Sequence, residues 1–388
     1  MAFPDSGRDL QQSKALDVFR GFAAVFMIVN HAGFRLWAFP RHGDEWSAAV
    51  LLVSSFAPAL FFFATGVGIG LRSFGRPGSL RTTIGKAALL VLADQLGAWS
   101  AGAWWAFDFF SFIAVSMLIV TVLSQTRRPM HNAMLLFCAT ILLRFVVGGS
   151  LKGVLPETGW SAAVIGVHGQ QGVSYPISPW LCFPLAGFLV AKSCPLSSAA
   201  WHRAGYLSVA GAGITLALAS AGASFHRWGT MGLGFFALSV PTVGAACLLA
   251  QAVQRWLTNF GALVALRGVS AFLVVPVHYA MLEVLSRWGW SDLSGPQFTL
   301  MLLPLCALSF AISKGMGRAI VRACRFEGRA MAFGLLALAA VCTAATLVLG
   351  APGHSGAFAA ATMAQFMVGF GLAKRLERHR ELPSRRLV

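Results

Sequence analysis

Charge is scarce in this chain. Only 11% of its 388 residues are charged, while 57% are hydrophobic. Ordinary soluble domains carry about 25% charged residues, so that class is excluded. No polar stretch is long enough to fold as a soluble domain either; the longest connection between apolar runs is about 150–176. Acidic residues are rarer still, 13 against 30 Lys and Arg, for a net charge of +17. That excess forms no basic face with interleaved aromatics, which excludes nucleic acid as a partner. The seven cysteines are odd in number, and most lie inside apolar runs. No CxxC pair or Cys/His ligand spacing is present, so neither a disulfide framework nor a metal centre is expected. P-loop, GxSxG and HExxH patterns are also missing. The first 14 residues are polar and the first apolar run leads on to many others, so no cleaved signal peptide is expected.

What is abundant is apolar run after apolar run, rich in Phe (31), Trp (12) and Gly (41). A helix needs about 20 mainly apolar residues to cross the hydrocarbon core. Twelve runs qualify as candidates, near 17–36, 47–71, 83–101, 107–124, 131–149, 177–192, 203–223, 233–253, 260–284, 296–314, 330–350 and 355–373. The run at 177–192 is short and proline-rich. Of the 30 basic residues, 22 fall in alternate connections counted as cytoplasmic, five in the outer ones and three within spans. Such alternation is the positive-inside pattern. The expectation is an all-α, polytopic membrane bundle of about 10–12 helices with both termini cytoplasmic. A cytoplasmic segment, 1–16, precedes a membrane domain, 17–373, and a basic tail, 374–388, follows. That tail fits contact with anionic lipid or, more commonly, a plain cytoplasmic retention signal.

Ionisable residues at membrane depth are costly and therefore functional candidates. The first run, ALDVFRGFAAVFMIVNHAGFR, holds most of them. Asp17 and Arg20 lie three apart, on adjacent turns of one helix face, and can pair. Eleven steps of 100° separate Arg20 from His31, which returns the helix to the same stripe about 16 Å further along its axis. An arginine at the inner mouth can bind phosphate, and a neutral buried histidine can take a proton from an attacking hydroxyl or amine. The spacing suits acyl transfer from a phosphate-bearing donor. It suits equally an anchoring arginine and a structural histidine. Arg267 and His278 repeat the spacing in RGVSAFLVVPVHYAMLE, where His278, Tyr279 and Glu283 form a second polar cluster. That cluster reads as a hydroxyl donor, a proton relay or a helix–helix hydrogen bond. His42, in FPRHGDEW, falls in the first outer loop.

LDVFRGFAAVFMIVNH resembles the opening helix of the transmembrane acyltransferase superfamily. That superfamily includes the acyltransferase-3 proteins and the catalytic domain of heparan-α-glucosaminide N-acetyltransferase. Further likenesses follow in order: APALFFFATGVGIGL, FDFFSFIAVSML, SYPISPWLCFPLAGFLVAK and ALRGVSAFLVVPVHYAML. The resemblance implies transfer of an acyl group from acyl-CoA, acetyl-CoA first, to a hydroxyl or amine, usually on a sugar, with no metal. It puts His31 in the place of the Arg-x10-His histidine. In the heparan-type branch a histidine shortly after the first helix, followed by Trp, is the proposed catalytic one, and His42 with Trp46 is the nearest match. His31, His42 and His278 are thus the catalytic candidates. Arg20, Asp17, Asn30, Arg72, Arg76, Arg81, Tyr279 and Glu283 are the substrate-binding candidates. The expected partners are acyl-CoA, a carbohydrate or lipid-linked acceptor and the bilayer, with a homodimer left open. The expected location is a bacterial cytoplasmic membrane. The competing reading is a multi-span transporter or flippase of a small solute or lipid-linked sugar.

Overall fold

The computed structural model describes residues 6–37, 45–72, 80–100, 105–150, 160–166, 173–193, 198–222, 225, 231–265 and 271–323. The described residues are helical almost throughout. In order they form α1 (Ser6–Leu36), α2 (Glu45–Ser54), α3 (Ala57–Arg72), α4 (Leu80–Ser100), α5 (Phe109–Ser124), α6 (Pro129–Leu142), α7 (Gly148–Ser150), α8 (Trp160–Val164), α9 (Ile177–Trp180), α10 (Cys182–Ser193), α11 (Ser198–Ser220), α12 (Leu233–Trp256), α13 (Thr258–Val264), α14 (Ala271–Arg287) and α15 (Gly295–Ala323). One isolated bridge pairs Phe107 with Val173. Five helical stretches are long and apolar enough to cross a membrane: Lys14–Leu36, Trp46–Leu71, Pro129–Val147, Leu233–Trp256 and Gly295–Arg318. Shorter apolar helices cover Phe109–Ser124, Ile177–Ser193 and Ala210–Ser220. In hydrocarbon the backbone has no water to bond, and helices satisfy it internally. The expected spans at 330–350 and 355–373 lie outside the described residues.

Several expected spans have structure that apolar content does not reveal. The run at 47–71 is two helices, α2 and α3, joined by a turn at Ser55–Phe56. Pro58, second residue of α3, suits a helix start because its missing N–H is one the helix could not have used. The run at 177–192 divides into α9 and α10, and Ser178, just before Pro179, is extended at φ −98°, ψ 125°. A residue preceding proline is driven out of the helical region by the ring. After α6 the chain takes a π-helical turn at Leu143–Val147, which includes Arg144. The span expected over 260–284 is not continuous: α13 ends at Val264, and Ala265 is extended at φ −60°, ψ 124°. Alanine favours helix, so its residue type carried no sign of that break.

The chain divides into two compact units, one of Met1–Met27, Leu52–Ala87 and Ala106–Ala265, the other of Ile28–Leu51, Ala88–Trp105 and Leu266–Val388. In the first, α3 lies directly on α10. A Cβ on Gly66 would collide with the Pro184 carbonyl, and one on Gly187 with the Phe63 carbonyl. Glycine at these crossings lets the two backbones touch, as membrane helices do where small residues meet. Beside this crossing Phe62, almost wholly buried, packs against Phe112 at 4.2 Å and against Phe109, Tyr175 and Trp180 at 5.4–5.7 Å. The Tyr175 and Trp180 rings meet Phe62 edge-on, at 90° and 85°, an arrangement the ring quadrupoles favour.

In the second unit α14 packs along α15. Ser309 and Ser313 of α15 donate to Met281 Sδ and to the Leu273 carbonyl, both at 3.4 Å. The end of α1 is tied in by backbone bonds: the Leu36 carbonyl accepts from the N–H groups of Asp292 and Leu293, each at 2.8 Å. Trp37 stacks on Phe298 at 4.6 Å. These ties hold the end of α1 to the segment between α14 and α15 and to α15 itself.

Candidate active site

The last turns of α1 and the middle of α14 carry a polar cluster. His31 Nδ1 lies 2.8 Å from His278 Nε2. Four residues on, Arg35 pairs with Glu283 at 2.5 Å, and Glu283 also receives Arg287 of its own helix at 2.9 Å. The contacts advance together along both helices, so α1 and α14 run parallel here. A parallel pair in a membrane needs an odd number of crossings between its members.

The imidazole rings are 15° from parallel with centroids 5.1 Å apart. Rings stacked face to face would hold their atoms at van der Waals separation. Nitrogens 2.8 Å apart require the rings to meet edge to edge, so the hydrogen bond runs in the ring planes. Tyr279 behaves differently. Its ring centroid is 4.6 Å from that of His31 and 4.7 Å from that of His278, tilted 27° and 30°. The phenol therefore lies across the faces of both imidazoles. Its hydroxyl is 3.2 Å from His31 Nε2, within hydrogen-bond reach.

The protons follow from the partners. His278 Nδ1 faces the Val274 carbonyl at 2.7 Å. A carbonyl only accepts, so Nδ1 carries the hydrogen and, in a neutral ring, Nε2 is bare. His31 must then donate through Nδ1–H, which leaves its Nε2 bare as well. Two imidazolium ions this close would repel, so the pair holds one positive charge at most. The chain of donors runs from His31 to His278 to Val274 and stops, because a helix carbonyl cannot pass a proton on. This arrangement is a base with one side fixed rather than a wire.

The remaining candidates are dispersed. Asp17 and Arg20 form the expected pair at 3.4 Å, both half-buried, in the first unit. Asn30 is half-buried on α1 beside His31. Arg81 is exposed in the first turn of α4, and Arg72 closes α3. The Arg72 side chain, Arg76 and His42 lie outside the described residues. Arg35 is the partner that sequence reasoning missed, counting it as an outer-loop charge. The signal was present: Arg35 lies four residues beyond His31, on the same helix face.

The profile of the family described as heparan-alpha-glucosaminide N-acetyltransferase, catalytic, matches residues 13–224. The chain belongs to this family. No curated protein and no solved structure matches it. Membership makes the chain a membrane acetyltransferase by family. The matched region contains Asp17, Arg20, Asn30, His31 and His42. It stops before α14, so His278, Tyr279 and Glu283 enter the site through the fold alone. Among the heparan-type features, Trp46 is an exposed residue near the start of α2.

Proposed function

We propose that the protein transfers an acyl group, acetyl first, from acyl-CoA to a hydroxyl or amine of an envelope carbohydrate or a lipid-linked acceptor, in a bacterial cytoplasmic membrane. The observation that carries this reading is the bare His31 Nε2. It is held in a fixed tautomer by His278, with the Tyr279 hydroxyl 3.2 Å away. The acceptor's O–H or N–H adds to the thioester carbonyl while Nε2 takes its proton. The C–S bond then breaks, and the departing thiolate receives the proton back from Nε2. General-base assistance of this kind contributes about 10²–10⁴-fold. The donor's phosphates are assigned, on the sequence pattern, to Arg20, Arg72, Arg76 and Arg81; guanidinium forks suit phosphate.

Family membership favours a second base, His42 before Trp46, because the heparan-type branch uses a histidine at that point. The two assignments share a reaction and differ in the residue. Purified protein in lipid nanodiscs, given acetyl-CoA and a panel of amino sugars, sugars and lipid-linked sugars, should release CoA thiol only when an acceptor is present. Loss of turnover in His31→Asn but not His42→Ala supports His31; the reverse moves the base to His42. Solute uptake by proteoliposomes with no acyl product would establish the transporter instead.

A further inference from the structure

We infer that His278 and Tyr279 are positioning residues that make His31 a one-directional base: His278 fixes its tautomer, and the ring of Tyr279 steadies the positive charge that forms on it. This rests on His31 being the base, as proposed above. His278 is itself held. It is fully buried, its Nδ1 bonded to Val274 of the preceding turn, so Nε2 points at His31 with no alternative donor role. The in-plane, 2.8 Å contact survives protonation of His31, since imidazolium Nδ1–H still donates to a bare Nε2. His278 therefore keeps its hydrogen bond to the charged state. The third member of such arrangements elsewhere orients the base in the same way.

Tyr279 supplies what hydrogen bonds cannot. Its ring covers both imidazole faces at 4.6 and 4.7 Å. A cation within about 6 Å of an aromatic centroid is attracted to the negative face. The attraction appears only when His31 takes the acceptor's proton, so it acts on the step rather than on binding. Among the described residues, the Arg35–Glu283–Arg287 set lies at the outer turns of α1 and α14 beside the cluster; Glu283 offsets one of its two arginines.

The test uses the full chain in nanodiscs with His31 observed by ¹⁵N NMR, which reports the tautomer whether or not the protein turns over. Wild type should show Nδ1–H with a bare Nε2. In His278→Gln, whose side-chain carbonyl can accept in place of Nε2, the tautomer should persist and acetyl transfer should stay within about tenfold of wild type. In His278→Leu the tautomer should become mixed and kcat should fall about a hundredfold, with KM for acetyl-CoA unchanged. Tyr279→Leu should lose about tenfold in kcat, and Tyr279→Phe, which keeps the ring, should lose less. An Nε2–H tautomer in wild type, or His278→Leu with wild-type kcat, overturns the role of His278. Tyr279→Phe losing as much as Tyr279→Leu overturns that of the ring. A wild type with the stated tautomer but no acyl transfer would defeat the acyltransferase reading and leave the tautomer assignment standing.

Discussion

Replacing His31 by Asn separates its chemical role from its structural one. The asparagine amide nitrogen is bonded to Cγ as Nδ1 is, so it can still donate to His278 Nε2 across the 2.8 Å contact. What disappears is Nε2. Folding should hardly change, because an intramolecular hydrogen bond is worth only about 1 kcal/mol net and this one is kept. His31→Ala, by contrast, strands a buried acceptor, at a cost of about 1–3 kcal/mol, since His278 is 0% exposed. Turnover should fall about 10²–10⁴-fold in both variants, equivalent to about 2.7–5.5 kcal/mol of barrier. The assay is CoA thiol release with acceptor present, beside a thermal melt of the same samples. His31→Asn with more than about a tenth of wild-type turnover and an unchanged melt would refute the assignment of Nε2 as base.

Other expectations follow from the packing. Gly66→Ala should lower stability by about 1–3 kcal/mol by overpacking the α3–α10 crossing. Gly85→Ala, where an added methyl meets nothing within 4 Å, should be neutral or stabilising by up to about 1 kcal/mol; melts in one detergent compare them. Phe62→Ala should cost about 3–5 kcal/mol through the cavity left among four rings, read as loss of the folded peak in size-exclusion chromatography. A double-mutant cycle on Arg35→Ala and Glu283→Ala should give a coupling below about 1 kcal/mol, because Arg35 is 50% exposed and solvent or headgroups compete for it. A larger coupling would mean the pair is sealed from both.

How far the sequence reached varies from feature to feature. Asp17 and Arg20 could be paired in advance because helix geometry alone brings residues three apart onto one face. His278, Tyr279 and Glu283 could be grouped for the same reason. That Glu283 reaches across to Arg35 could not be foreseen, because no periodicity within α14 refers to α1. The break at Ala265 was hidden too. Its extended backbone is a matter of dihedrals, which a favourable residue type does not forbid.

By itself the sequence determined that this protein lives in a bilayer as helices. Hydropathy is a sum over neighbours in the chain, and the lack of water in hydrocarbon leaves the backbone little alternative. It also marked which residues stood out as too polar for that setting. Only the tertiary structure decided that His31 meets His278 across 247 residues, and which nitrogen is left bare. That outcome depends on how α1 and α14 pack, a non-local balance of close contacts, and on a single backbone carbonyl that fixes where the hydrogens lie.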